Sequence, residues 1–231
     1  MEKKNVFKWK HYQPDIILLT VRWYLRYNLS LRDLVEMMEE RGISLAHTTI
    51  MRWVHQYGPE LNERIRKHLK PTNDSWRVDE TYFKIKGENM YLYCTIDSEG
   101  NTIDFYLSRK RDAKAAYMFM KRLVKAFGEP TVLTTDKAPA LLCAFKKLKN
   151  NDLYVHTKRC TVKHFNNLIE QDHRHVKRRF AKSSGFQNIR HASHTIKGIE
   201  TLHALYKQKR SLSQDSVFSA YQELQQLMTI A

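Results

Sequence analysis

Three carboxylates in separate parts of the chain have the residue type and setting that could hold divalent metal ions. Asp79 lies in a β-rich segment, Asp136 ends a short apolar strand, and Glu170 lies in a later helix. Mg²⁺ and Mn²⁺ prefer carboxylate oxygens as ligands. Two such ions held ~4 Å apart activate an attacking water or 3′-hydroxyl and stabilise the leaving oxygen of a phosphodiester. Asp79, Asp136 and Glu170 could therefore supply the ligands of a two-metal site.

Each of these acids has a competing interpretation. Taken singly, an acid is more often a turn or surface residue than a ligand. Glu80 is adjacent to Asp79, but side chains alternate along a strand, so we expect only one of the two to be a ligand. Asp172 is a weaker alternative to Glu170, because two positions correspond to about 200° around a helix.

The segment that carries Glu170, residues 166–179, is predicted to be one helix because it lacks Gly and Pro. At 3.6 residues per turn, Glu170, His173, Arg174 and Lys177 share a face. A metal-binding carboxylate beside cations that bind phosphate would explain this surface, and Arg178 and Arg179 extend its charge. The alternative is a solvated basic helix with one intrahelical salt bridge.

Other cofactors receive little support from the sequence. Cys160, His164, His173 and His175 do not have the spacing of a standard structural zinc site. The three cysteines of the chain are odd in number and widely spaced, which argues against disulfides and favours a reducing cytosol. No Gly-rich phosphate loop is present, so we expect no nucleotide cofactor.

The charge of the chain indicates a polyanionic partner. The 231 residues include 40 Lys and Arg against 24 Asp and Glu, a net charge of +16 that is spread along the chain. Such a balance is typical of proteins that bind nucleic acid. With 42% hydrophobic residues the chain can fold around a sizeable core, and no apolar run near its N-terminus is long enough to cross a membrane.

Residues 1–70 are predicted to form a helix-turn-helix DNA-binding domain. One helix follows Pro14, a second begins after the N-cap Ser30 and stops at Gly42, and a third covers residues 47–54. A further helix is predicted from Leu61 to Leu69. In the third helix His47, Thr48, Thr49 and Arg52 should face DNA, whereas Ile50, Trp53 and Val54 should pack inward. A three-helix bundle without a DNA role is the alternative.

Residues 71–208 are predicted to form an α/β catalytic domain, followed by a tail, residues 209–231. Strands at 76–85, 90–96 and 102–107 form an antiparallel meander. Helix 113–127, strand 131–135, helix 140–149, a strand at 153–156 and helix 166–179 follow, with another helix at 195–207. This order resembles the ribonuclease-H-like fold, in which neighbouring strands would bring Asp79 and Asp136 side by side.

Three short motifs carry a closer resemblance. WRVDETY at 76–82, TTDKAP at 134–139 and NNLIEQDHR at 166–174 are similar to the DDE transposases of the insertion-sequence-six family, and Glu170 follows Asp136 by that family's 34 positions. Residues 25–34 and 52–54 resemble its N-terminal region. The resemblance implies Asp79, Asp136 and Glu170 as the metal-binding triad and Lys177 as a DNA contact.

From the resemblance we expect a bacterial DNA transposase that uses Mg²⁺ or Mn²⁺. It would nick DNA at insertion-sequence ends and transfer the freed 3′-hydroxyl into target DNA, generally giving cointegrates. Double-stranded DNA, as terminal inverted repeats and target, would be its partner, and it would assemble as a homo-oligomer on DNA. We expect a cytoplasmic, nucleoid-associated protein without a membrane partner. The alternatives are a transposase-derived repressor without catalysis and a nuclease that cuts without joining.

Overall fold

The computed structural model describes residue 7 and residues 11–69, 72–161, 167–182, 186, 188–212 and 217–229. The chain divides into two units, one of residues 1–69 with 187–231 and the other of residues 70–186. The first boundary falls one residue before the end of the predicted DNA-binding domain at residue 70. The second differs from the predicted boundary at 208, because the chain after residue 186 packs with the N-terminal helices.

The N-terminal helices begin where the sequence predicts. Helix α1 is Pro14–Arg26, with proline at its first turn. Helix α2 is Leu31–Glu39, and Ser30 and Asp33 form a reciprocal capping box at its start. Gly42 turns the chain with a φ of 72° before α3, which is His47–Arg66. Helix, glycine turn and helix therefore follow one another as expected.

The separate helix predicted from Leu61 to Leu69 is wrong, because α3 continues through Pro59 to Arg66. Proline has no N–H, so the carbonyl four residues earlier, that of His55, loses its helical donor. The Nδ1 atom of His194 lies 2.9 Å from this carbonyl oxygen and, facing an acceptor, must donate to it. A side chain from a distant helix thus replaces the missing hydrogen bond.

Two C-terminal helices complete this unit. Helix α8 is Ile189–Leu212, longer than the predicted helix at 195–207, and α9 is Val217–Thr229, within the predicted tail. Helices α3 and α8 approach closely at Gly58, where an added Cβ would lie 2.3 Å from the His194 carbonyl oxygen. The apolar core combines both ends of the chain, and its fully buried members include Ile17, Leu34, Ile50, Leu61, Leu202 and Leu224.

The second unit is built on a five-stranded mixed sheet with the order β3-β2-β1-β4-β5. Its strands are β1 Ser75–Ile85, β2 Glu88–Asp97, β3 Thr102–Ser108, β4 Val132–Thr135 and β5 Lys158–Cys160. The first three form the predicted antiparallel meander, whereas β4 pairs in parallel with β1 and β5 in parallel with β4. This is the predicted ribonuclease-H-like arrangement.

Helices α4 (Ala113–Phe127) and α5 (Pro139–Lys149) contribute to the core of this unit. Trp76, Val78, Phe119 and Leu133 are buried there. The strand predicted at 153–156 is wrong. Asp152 and Tyr154 both adopt positive φ, which breaks an extended strand, and the strand forms later at Lys158–Cys160.

The helix predicted at 166–179 is interrupted. Helix α6 is Asn167–Asp172 and α7 is Arg174–Lys182, with His173 between them. The His175 ring nitrogen Nδ1 lies 2.6 Å from the Asp172 carbonyl, so a side chain binds a carbonyl at the end of α6. The start of the predicted helix, Asn166, lies outside the described residues. Among those residues, no helix is long and apolar enough to cross a membrane.

Candidate active site

The sheet brings Asp79 and Asp136 together. Strand β1 pairs with β4 up to Val78 and Thr135. Asp79 directly follows Val78, and Asp136 directly follows Thr135, so the two acids lie side by side at the end of the paired stretch. Asp79 lies in the middle of β1, opposite Cys94 of β2. The Asp136 carboxylate is oriented by its own turn, because Oδ1 accepts a hydrogen bond of 2.9 Å from the backbone N–H of Ala138.

Glu80 belongs to the same cluster. One carboxylate oxygen from each of Asp79, Glu80 and Asp136 lies within 4.8 Å of the others, close enough to share a metal ion. Strand alternation was expected to bring only one of Asp79 and Glu80 to the site, whereas the carboxylates of both reach the cluster. Strand β1 continues to Ile85, so its acids at 79 and 80 lie just beyond the stretch that pairs with β4.

An ion pair with Arg111 holds the buried side chain of Glu80. Its side chain is only 4% exposed, and its Oε1 accepts from Nε and Nη2 of Arg111, each at 2.5 Å. Burial raises the pKa of the Glu80 carboxyl above its ordinary value, and the hydrogen bond from Arg111 opposes this change. Opposite Glu80 on β2, burial and the Glu80 charge raise the pKa of Tyr93 to about 12.

A second arginine supports the end of β4. Arg159 lies in β5 and donates from Nε to the Thr135 hydroxyl at 2.9 Å and from Nη2 to the Asp136 carbonyl at 3.0 Å. Burial lowers the pKa of this guanidinium, and the charge of Asp136 opposes the change. Arg159 therefore supports the backbone that carries Asp136, through the Thr135 hydroxyl and the Asp136 carbonyl.

His173 contacts the acid cluster at Asp79. Its Nε2 lies 3.3 Å from Oδ2 of Asp79, and its side chain is 3% exposed. This burial corrects the predicted surface, because His173 does not share an exposed face with Arg174 and Lys177. The interruption between α6 and α7 lies at this buried residue.

Glu170 lies on α6 and is exposed. Within the part of the chain that the structure describes, it is not among the three acids whose oxygens cluster. It precedes His173 by three positions, a spacing that places side chains on adjacent turns with Cβ atoms roughly 5–6 Å apart. Its rival Asp172 is buried.

The predicted DNA contacts on α7 separate into two groups. Arg174, Lys177 and Arg178 are exposed, whereas Arg179 is 7% exposed and buried. Arg179 is therefore corrected from a surface contact to an interior residue. Helix α7 is anchored by Phe180, whose ring stacks on Phe83 of β1 with centroids 4.3 Å apart and planes 7° from parallel.

The predicted recognition helix has the expected faces. His47, Thr48 and Arg52 are exposed and Thr49 is partly exposed at the N-terminal end of α3. Ile50, Trp53 and Val54 are buried in the helical core, as predicted.

Comparison with known proteins identifies the family. A family model described as a DDE domain matches residues 73–209. The chain is 44% identical over 220 residues to the Staphylococcus aureus "Transposase for insertion sequence-like element IS431mec", covering 95% of this chain and 97% of that protein. The chain belongs to the insertion-sequence-six family of DDE transposases. The transposase for insertion sequence element IS257 in transposon Tn4003, also from S. aureus, matches at the same identity and coverage.

Among solved structures, this family member resembles the HTLV-2 integrase catalytic core domain in complex with magnesium. The two are 18% identical with a TM-score of 0.45, over 65% of this chain and 96% of that one. The family match begins close to the predicted start of the catalytic domain and ends one residue beyond its predicted end, although the compact unit ends at 186.

Three further residues of this transposase lie in or beside the acid cluster. Glu80 was set aside by the alternation rule, and neither Arg111 nor Arg159 was considered. Arg111 did carry a signal, because it directly precedes Asp112, whose side chain caps the N-terminus of α4. A cation beside a helix cap is held in a defined position relative to the sheet.

Proposed function

We propose that this transposase nicks DNA at the ends of its insertion sequence and joins the freed 3′-hydroxyl to target DNA, giving cointegrates. The single observation that supports this most strongly is the clustering of Asp79 and Asp136 at the edge between β1 and β4. Phosphodiester cleavage and joining need little covalent chemistry from protein groups, so positioned oxygen ligands are the essential part of such a site.

The acids present fit a divalent cation. Three carboxylates whose oxygens lie within 4.8 Å repel one another without a cation, and hard oxygen donors favour Mg²⁺ or Mn²⁺. In the proposal Asp79, Asp136 and Glu170 hold two ions, which when bound activate the attacking hydroxyl and stabilise the leaving oxygen. Glu170 lies on α6, three residues before the His173 that contacts Asp79, and in the proposal it completes the set of ligands.

The protein groups around the acids keep them in position. The Ala138 N–H orients Asp136, Arg159 fixes its backbone, and His173 packs against Asp79. Such fixed ligands hold the scissile phosphate in line with the attacking hydroxyl, and a misplacement of about 1 Å would cost ~10²-fold in rate.

DNA is bound, in this proposal, by two exposed surfaces. Arg174, Lys177 and Arg178 on α7 neutralise phosphates close to the acids. His47, Thr48, Thr49 and Arg52 at the N-terminal end of α3 read base edges of the terminal inverted repeats in the major groove. Because two ends must be cut and joined together, we propose that the protein works as a homo-oligomer on DNA.

The test is a reconstituted reaction with a plasmid that carries both ends of the insertion sequence and a second target plasmid. We expect nicks at the ends in Mg²⁺, joined products whose new bond starts at an element 3′-hydroxyl, and neither product with a chelator. Binding to the ends without nicking under any divalent cation would instead indicate a DNA-binding protein without catalysis. Nicking without joining would indicate a nuclease.

A further inference from the structure

Glu80 has a feature that its ion pair does not explain. Oε1 accepts both hydrogen bonds from Arg111, whereas Oε2 is buried and accepts none from the residues that the structure describes. A buried carboxylate oxygen without a partner is costly, so such an atom calls for a ligand.

The position of Glu80 indicates what that ligand is. The carboxylates within 4.8 Å are those of Asp79 and Asp136, and another acid at this distance raises the electrostatic cost further. Arg111 offsets part of this cost, yet its side chain is 53% exposed and approaches Oε1 alone. A divalent cation would satisfy Oε2 and the two aspartates together.

We infer that Glu80 is an additional carboxylate ligand of the metal site, held in place by Arg111. This inference rests on the proposed metal-dependent function and extends it, because the predicted triad contains only Asp79, Asp136 and Glu170. Arg111 is a positioning residue: by binding Oε1 it keeps the Glu80 carboxylate turned toward the edge of β1 where Asp136 lies.

The chain provides a matched control for this pair. Asp104 of β3 is also nearly buried, at 5% exposure, and is bridged at 2.7 Å by Arg122, which is 45% exposed. Among the described residues, Asp104 is not part of the acid cluster. Removing either carboxylate therefore breaks a similar ion pair on the same sheet, but only Glu80 is expected to bind metal.

The experiment is a Mn²⁺ titration of the full-length protein, with free Mn²⁺ measured by electron paramagnetic resonance. We expect Glu80→Gln to raise the Mn²⁺ Kd by about 10-fold or more, the loss common when a group at a metal site is removed. Asp104→Asn should leave the Kd within about two-fold. Circular dichroism and urea unfolding report whether the two variants are equally folded.

Glu80→Asp separates ligation from structure. It keeps a carboxylate but shortens the side chain, whereas Gln keeps the length and loses the charge. A ligand role predicts that Asp binds Mn²⁺ more tightly than Gln even where the two variants have the same free energy of unfolding. A structural role predicts that the Mn²⁺ Kd changes only together with the free energy of unfolding. Suppose that Glu80→Gln binds Mn²⁺ with a Kd within two-fold of the unmodified protein, while Asp79→Asn and Asp136→Asn lose binding. This result would overturn the role of Glu80 and leave the proposed metal site intact. If all three variants bind normally, the proposed metal site fails as well.

Discussion

The Nε2 atom of His173 lies 3.3 Å from Oδ2 of Asp79, and this contact links the interrupted helix to the acid cluster. Asp79 is fixed on one side by the sheet register with Cys94 and is contacted on the other by a nearly buried imidazole. Glu170 lies on α6, three residues before His173. The contact between His173 and Asp79 therefore joins the segment directly after α6 to β1.

His173→Ala should lower both stability and cleavage. Removing a buried side chain at this position should reduce the free energy of unfolding by about 1–3 kcal/mol, measured by urea denaturation. Because Asp79 loses its contact with His173 and can move from its position, cleavage at saturating Mg²⁺ and DNA should fall by up to ~10²-fold. An unchanged cleavage rate in a destabilised protein would show that His173 serves folding only.

Lys177 tests the DNA surface on α7. If its exposed ammonium neutralises one phosphate, Lys177→Ala should flatten the slope of log affinity against log salt by about 0.9 on both specific and random duplexes. Lys125→Ala is the control, because Lys125 is also exposed but lies on α4. Equal slopes of log affinity against log salt for Lys177→Ala and the unmodified protein would indicate that α7 is a solvated basic helix without a DNA contact at Lys177.

Arg52 and Thr49 test recognition of the element ends. Each lost base contact should cost ~1–3 kcal/mol of preference for the end sequence over scrambled DNA, with non-specific binding largely kept. Arg32→Ala removes the same charge from the exposed surface of α2 and should preserve the preference. Competition binding measures the affinity for the end sequence and for scrambled DNA. Equal losses of affinity on the two DNAs would indicate that residues 47–54 form a structural helix.

The histidines between α3 and α8 should make the helical unit sensitive to acid. Burial, followed by the charges of His191 and His194, lowers the pKa of His55 from 6.5 to about 4. The unfolded chain therefore binds more protons between these values, so the free energy of unfolding should decrease as pH falls from 6.5 to about 4. His55→Asn should reduce this dependence in urea titrations at several pH values. An unchanged dependence would contradict the assignment.

The sequence predicted the elements that follow local rules. The capping box at Ser30 and Asp33, the burial of Ile50, Trp53 and Val54, and the antiparallel meander were all confirmed. The meeting of Asp79 with Asp136 was also confirmed, because parallel pairing of β1 and β4 follows from the order of elements.

The errors arose where tertiary contacts overrule local rules. The sequence predicted one helix at 47–54 and another at 61–69, whereas α3 is continuous through Pro59 and His194 hydrogen-bonds the His55 carbonyl. Strand alternation predicted that only one of Asp79 and Glu80 could reach the site, yet a carboxylate oxygen of each lies within 4.8 Å of an Asp136 oxygen. Helical periodicity placed His173 on an exposed face, whereas its contact with Asp79 buries it. None of these partners is near in sequence.

The most direct measurement is the single-turnover rate of strand cleavage by Asp79→Asn and Asp136→Asn at saturating end-containing DNA and Mg²⁺. Both variants should cleave at least about 10²–10³-fold more slowly, because a fixed electrostatic group of the reaction has been neutralised. Their affinity for the same DNA in metal-free buffer should not fall, since the exposed surfaces of α3 and α7 are untouched. Cleavage by either variant at close to the unmodified rate, with DNA binding intact, would contradict the assignment of this cluster as the catalytic centre.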